Sequence, residues 1–163
     1  MFGPNAALHE QAKIVAAMGP KAPSTTTPDY VSLKNYSRCC VVIQGLNGTT
    51  VTGSAITLHQ ATTVAAGGEK PLAFDKVYAN LDVSATDTLV ETAVTSNTFT
   101  TAATNSINFM YVIDVRPEML DVANNFDCLR LGTGDATNAT LSATYILYPA
   151  KYAKATPPTA ITD

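Results

Sequence analysis

The stretch Ile107-Asn108-Phe109-Met110-Tyr111-Val112-Ile113-Asp114-Val115 decides the fold class. Ile107, Phe109, Tyr111, Ile113 and Val115 hold one phase of a two-residue period, and Asn108, Met110, Val112 and Asp114 hold the other. Successive side chains of a strand point to opposite faces, so this spacing predicts a β-strand with one face in a core and the other nearly so. Working outward, Pro117 suits the first position of a short helical turn through Leu120. Phe126 to Leu131 and Thr140 to Tyr148 then read as a final pair of strands, with Gly132, Gly134, Asp135 and Asn138 in the connection. Upstream, Arg38 to Gln44 carries the β-branched run Val41-Val42-Ile43, the mark of a largely buried strand. Asn47-Gly48 is a type I′ turn signal and predicts a hairpin, with Thr49 to Leu58 as the returning strand. Ala65 to Pro71, containing Gly67-Gly68, reads as a loop, and Ala73 to Leu81 as a further strand. Thr88 to Thr95 and Thr98 to Thr101 predict two short, partly exposed strands joined at Ser96-Asn97.

Seven or eight strands, short turns and one small helix predict a mainly β fold: a single β-sandwich or jelly-roll-like domain over residues 36–152. Two appendages flank it. Residues 1–35 read as an N-terminal arm, because Ala7, Leu8, Ala12, Ile14, Val15 and Met18 fall near helical spacing and Gly19-Pro20 supplies a stop. That spacing predicts a helix over 5–17 with a narrow apolar stripe, followed by an extended Pro/Thr linker over 20–28. Leu8, Ile14, Val15, Met18 and Tyr30 are the candidate interaction residues of this arm. Residues 153–163, with Pro157-Pro158, read as an extended C-terminal tail.

Composition narrows the function classes. Of 163 residues, 46% are hydrophobic, enough for a core, but only 14% are charged, against roughly 25% in typical soluble domains. The 10 basic residues are scattered and the net charge is −3, so no electrostatic footprint for nucleic acid is present. No run approaches the roughly 20 apolar residues that span a bilayer, and Pro4, His9, Glu10 and Lys13 interrupt any signal-peptide pattern, so synthesis in the cytoplasm and no membrane partner are expected. Cys39 and Cys40 adjoin on one strand and point to opposite faces; with Cys128 they lack CxxC spacing and read as small buried hydrophobes.

Chemistry-bearing patterns are missing from the sequence. His9 and His59 have no second ligand at metal spacing, and the carboxylates Asp114, Glu118, Asp121, Asp127 and Asp135 have no calcium-loop spacing. No nucleophile elbow, zinc-protease motif, P-loop or dinucleotide fingerprint occurs, and Gly132-Thr133-Gly134 does not suffice to cradle a phosphate. Neither enzyme activity nor a cofactor or metal is expected. Tyr145, Tyr148 and Tyr152 offer an aromatic strip for a glycan-binding alternative, although alternation puts Tyr145 and Tyr148 on opposite faces.

Four segments carry a resemblance: ITLHQATTVAAGGEKPLAF (56–74), DTLVETAVTSNTFTT (87–101), MYVIDVRPEMLDVANNFDCLRL (110–131) and ATYILYPAKY (143–152). Together the pattern spans roughly residues 40 to 152 and resembles a group of small structural proteins of tailed bacteriophages encoded with head genes. The resemblance implies a capsid decoration, or cement, protein in the virion. Such a protein binds the outside of a shell of major capsid protein, commonly as a homotrimer. A tail, neck or adaptor protein is the alternative within the same virion class.

Overall fold

The computed structural model describes residues 7–152 and 158–160. One helical turn, α1 (Leu8–Gln11), precedes eleven strands: β1 (Lys13–Lys21), β2 (Val31–Ser32), β3 (Tyr36–Asn47), β4 (Ala55–Ala61), β5 (Lys70–Pro71), β6 (Lys76–Asn80), β7 (Val90–Ala93), β8 (Thr98–Thr100), β9 (Asn108–Val115), β10 (Cys128–Thr133) and β11 (Ala139–Ala150). They form two antiparallel sheets. One has six strands in the order β1-β11-β3-β9-β6-β7; the other runs β2-β10-β4-β5, with β8 also paired to β4.

The two-residue period read in residues 107–115 is realised in β9. Phe109, Tyr111, Ile113 and Val115 are buried, while Asn108, Met110, Val112 and Asp114 face outward. The same alternation buries Cys39, Val41 and Ile43 in β3, Leu141, Ala143, Tyr145 and Leu147 in β11, and Ile56, Leu58, Leu129 and Leu131 in the smaller sheet. The inward rows of both sheets form one hydrophobic cluster. Close packing has a specific demand at Gly45, where a Cβ would lie 2.2 Å from the Phe109 ring.

The hairpin predicted at Asn47-Gly48, the strands joined at Ser96-Asn97 and the final pair of strands are crossings between sheets. β3 and β4, β7 and β8, and β10 and β11 each follow one another in sequence, yet the two members of each pair lie in different sheets. Pairing is instead nested about the middle of the chain: β3 with β11, β4 with β10, and β6 with β9. Both sides of β3 are taken by β11 and β9 over most of its length, so β4 has no vacant edge to return along. Asn47-Gly48 accordingly does not form the type I′ turn: the positive φ falls on Thr50, and the buried Asn47 amide donates to the carbonyls of Ala102 and Thr104. A local turn signal was outweighed by long-range backbone pairing.

The predicted helix over 5–17 is also corrected. Helix is confined to Leu8–Gln11, residues 1–6 lie outside the described residues, and Lys13–Lys21 is a strand along β11. A helix of this length is marginal by itself, whereas the open side of β11 offers a ladder of backbone hydrogen bonds and a place in the core for Ala17 and Met18. Gly19-Pro20 does not stop the strand because β1 is an edge, where proline's missing N–H costs no ladder bond. Two register irregularities and Lys13 and Lys21 at its ends further blunt that edge. The linker predicted over 20–28 therefore starts inside β1, and the segment 22–30 joins β1 in one sheet to β2 in the other. Of the predicted tail, Pro158–Ala160 lies within the described residues: the Tyr36 hydroxyl donates to the Pro158 carbonyl, and Ala160 is buried in the main cluster.

Residues 22–30 run beside β10. Where β2 ends, the Leu131 N–H donates not to a strand but to the Tyr145 hydroxyl at 2.8 Å, and that hydroxyl donates to the Asp29 carbonyl at 3.0 Å. One side chain of the six-stranded sheet thus fastens the smaller sheet and the connecting segment together. Tyr145→Phe leaves a buried N–H without a partner. It should lower stability by about 1–3 kcal/mol, read as a reduced urea midpoint at unchanged slope.

Candidate functional site

Arg130 and His59 face each other across β10 and β4 on the outer side of the smaller sheet. Between β4 and β5 the chain turns through residues 62–69, with the Thr62 N–H and hydroxyl donating to the Gly67 carbonyl and positive φ at Ala66 and Gly68. That turn delivers Glu69 to the Arg130–His59 pair. Its Oε1 accepts from Arg130 Nη2 at 2.7 Å and lies 3.2 Å from His59 Nδ1, while its Oε2 accepts from the Tyr30 hydroxyl at 2.5 Å. Tyr30 stands just before β2, packed on Ala61, Cys128 and Val64, with the Arg130 guanidinium 5.3 Å from its ring centroid. His59 Nε2 is 3.0 Å from Thr57 Oγ1. The imidazole thus lies between the Glu69 carboxylate and the Thr57 hydroxyl, sharing a hydrogen bond with the latter.

Electrostatics follow from this geometry. Burial pushes the Tyr30 hydroxyl up to about 12, reinforced by its bond to Glu69. His59 is lowered, first by burial and then by the Arg130 charge, which together outweigh Glu69. Burial alone would raise Glu69, yet the hydrogen bonds from Tyr30 and Arg130 hold it below the ordinary carboxylate range. At neutral pH the group is one cation, one anion and a neutral imidazole. Two cavities flank Arg130. One of about 290 Å³ lies between residues 24–28 and the outer faces of β4 and β10; the other, of about 340 Å³, is walled by Tyr30, Val64 and Glu69.

The outer face of the six-stranded sheet is different in kind. Cross-strand rows there read Thr144–Val42–Val112–Tyr78 and Ser142–Gln44–Met110–Asn80, with Ile14–Ile146–Cys40 beside them. The last of these rows continues to Asp114 on β9, and the first to Glu91 on β7. The pair Arg38–Asp114 borders one end, and Lys76–Glu91 lies at the β7 edge. Leu46 is 51% exposed and helps wall an apolar groove of about 370 Å³ with Pro20, Val83 and Met110.

The five interaction residues predicted for the arm are dispersed. Leu8 and Ile14 are exposed, Val15 is half-buried against the core, and Met18 and Tyr30 are buried, so no single docking stripe unites them. Tyr145 is fully buried, and the proposed aromatic strip does not form. The three cysteines are free, Cys39 and Cys128 being buried, and among the described residues no group of three metal-ligating side chains occurs. The Glu69–Arg130 pairing went unread in the sequence. Its one visible signal was a lone arginine at an outward position of an otherwise apolar strand, opposite the only histidine of the β region. No family model, curated protein or solved structure matches the chain.

The lowered groups set a pH dependence. As pH falls below about 6.5 the unfolded chain protonates at His59 while the folded chain resists, so stability present above that pH is lost as it drops. Glu69 adds a second loss below about 4.3, where the unfolded carboxylate takes up its proton first. His59→Gln should abolish the upper step in a series of urea melts from pH 7.5 to about 3.5 and leave the lower one in place.

Proposed function

We propose that this chain is a structural protein of a tailed-bacteriophage virion, a decoration protein that lays the outer face of its six-stranded sheet against the capsid shell. The observation that carries the reading is the asymmetry of the two outer faces. The smaller sheet holds the ionic pairs Arg130–Glu69 and Lys70–Asp121 and has residues 22–30 beside it, whereas on the face of β11, β3 and β9 the Arg38–Asp114 pair lies toward one end, the rows through Val42 and Gln44 are uncharged on those strands, and no chain covers them among the described residues. Charge depletion at the centre of a patch distinguishes interfaces from ordinary surface. The finer fold on this reading is a β-sandwich of jelly-roll type, in keeping with the nested strand pairs. The likeness of residues 40 to 152 to phage head proteins points the same way.

The mechanism is mechanical. A cement protein adds buried area across capsomer boundaries that must be lost before they part under the pressure of packaged DNA. Three strands spaced about 4.8 Å apart, each contributing about eight residues at roughly 3.3 Å, present roughly 400 Å². That is below the roughly 800 Å² per partner of a standard interface, so one copy binds weakly. Linked copies, a trimer on this reading, convert later contacts into intramolecular ones and hold far more tightly. A charge buried at the centre of such a contact costs about 3 kcal/mol, roughly a hundredfold in affinity.

Val42→Lys should therefore abolish co-sedimentation with purified empty shells, whereas Glu118→Gln, on the exposed turn after β9, should leave it unchanged. Wild-type binding should vary little with salt, since the contact holds no exposed ion pairs at its centre. Equal binding of Val42→Lys and wild type would overturn the assigned face. Mass spectrometry of particles showing one ring's worth of copies, instead of a number in proportion to the major capsid protein, would place the chain in the neck.

A further inference from the structure

The cavity between residues 24–28 and the outer face of β4 and β10 stands apart from the face assigned to the shell. Its walls are hydroxyl-rich, with Ser24, Thr26 and Thr27 on one side and Thr57 and Thr133 on the other, and Arg130 and His59 close its inner end. The floor is kept low by an absent side chain: a Cβ at Gly132 would lie 2.3 Å from Thr57 Oγ1 and 3.1 Å from His59 Nε2. At about 290 Å³ it sits at the small end of ligand sites, which run from about 300 to 1,000 Å³.

We propose that this cleft binds a single neutral sugar ring, with hydroxyl groups of the ligand exchanging hydrogen bonds with the threonine walls and with the Arg130–His59 end. Three observations select that chemistry. The cation at the inner end is already matched, because Arg130 Nη2 donates to Glu69 at 2.7 Å and the same carboxylate lies 3.2 Å from His59 Nδ1, so no net positive charge is left to favour an anion. Hydroxyl walls donate and accept with equal ease, which suits a ligand whose groups also do both. The floor at Gly132 carries no side chain, which leaves space for a ring to lie against β10. The Glu69 hub holds Arg130, His59 and Tyr30 in place before any ligand arrives, which lowers the ordering cost of binding.

The test is a nitrogen-15 NMR titration of the full chain with glucose, galactose, mannose and N-acetylglucosamine at millimolar concentration, with inorganic phosphate as a separate arm. At least one sugar should give saturable shifts at the amides of Thr26, Thr27, Thr57, Gly132 and Thr133. Thr57→Val should weaken that binding by about tenfold, the loss of one hydrogen bond to the ligand. Where the spectrum of that variant departs from wild type, Thr26→Val, on the opposite wall and away from His59, takes its place. Saturation by phosphate without any sugar, shifts mapping elsewhere, affinity unchanged in the variant, or no saturable shift with the four sugars would each overturn the assignment.

Discussion

The Tyr145 hydroxyl is the junction on which the arrangement depends. It lies within the core, where burial raises its pKa far above the usual phenol range, so it serves as a neutral donor and acceptor at every ordinary pH. As acceptor it takes the Leu131 N–H, which has no strand beside it; as donor it holds the Asp29 carbonyl. The next residue along is Tyr30, whose ring must lie on Ala61 and Cys128 for its hydroxyl to reach Glu69. A buried side chain of the large sheet thereby fixes the polar cluster on the outside of the small one. Breaking the junction releases three things at once: the edge of β10, the course of residues 22–30 and the orientation of Glu69.

Much of the inside-outside pattern was legible in the sequence, because a two-residue period is a local property. The reading of 107–115 holds residue by residue along β9, Cys39 and Cys40 do face opposite ways, and the turn after Pro117 is a 3₁₀ turn over Pro117–Met119. Which strands pair was not legible. Asn47-Gly48 has the local chemistry of a hairpin, but the free energy of burying the inner rows of β3 and β4 in one shared cluster is larger than that of a turn. The two strands therefore separate into different sheets and find partners 67 to 114 residues away. Nothing in the local sequence encodes that choice.

The arm failed for a related reason. Ile14-Val15-Ala16-Ala17-Met18 fits a helix and a strand almost equally well, since alanine softens both periods and a short apolar run cannot arbitrate between them. The open side of β11 decided the matter. The candidate site shares this limit: Glu69 and Arg130 are 61 residues apart, and their ion pair exists because β4 and β10 are adjacent and the turn after β4 folds back over that pair. Charges so placed are readable only after the register is known.

The two outer faces follow from what each sheet must do with its edges. The small sheet is narrow, and β2 covers β10 for only two residues, so its remaining edge needs the connecting segment and the polar side chains that hold it there. Ionic and hydroxyl groups therefore collect on that side, and the cleft between segment and sheet is lined by them. The large sheet has no such need. Its central strand β3 is paired with β11 and β9 over most of its length, and the middle of its outer face carries no charge. A surface relieved of structural work, and uncharged across its three long strands apart from the Arg38–Asp114 pair toward one end, is the face on which the proposed contact rests.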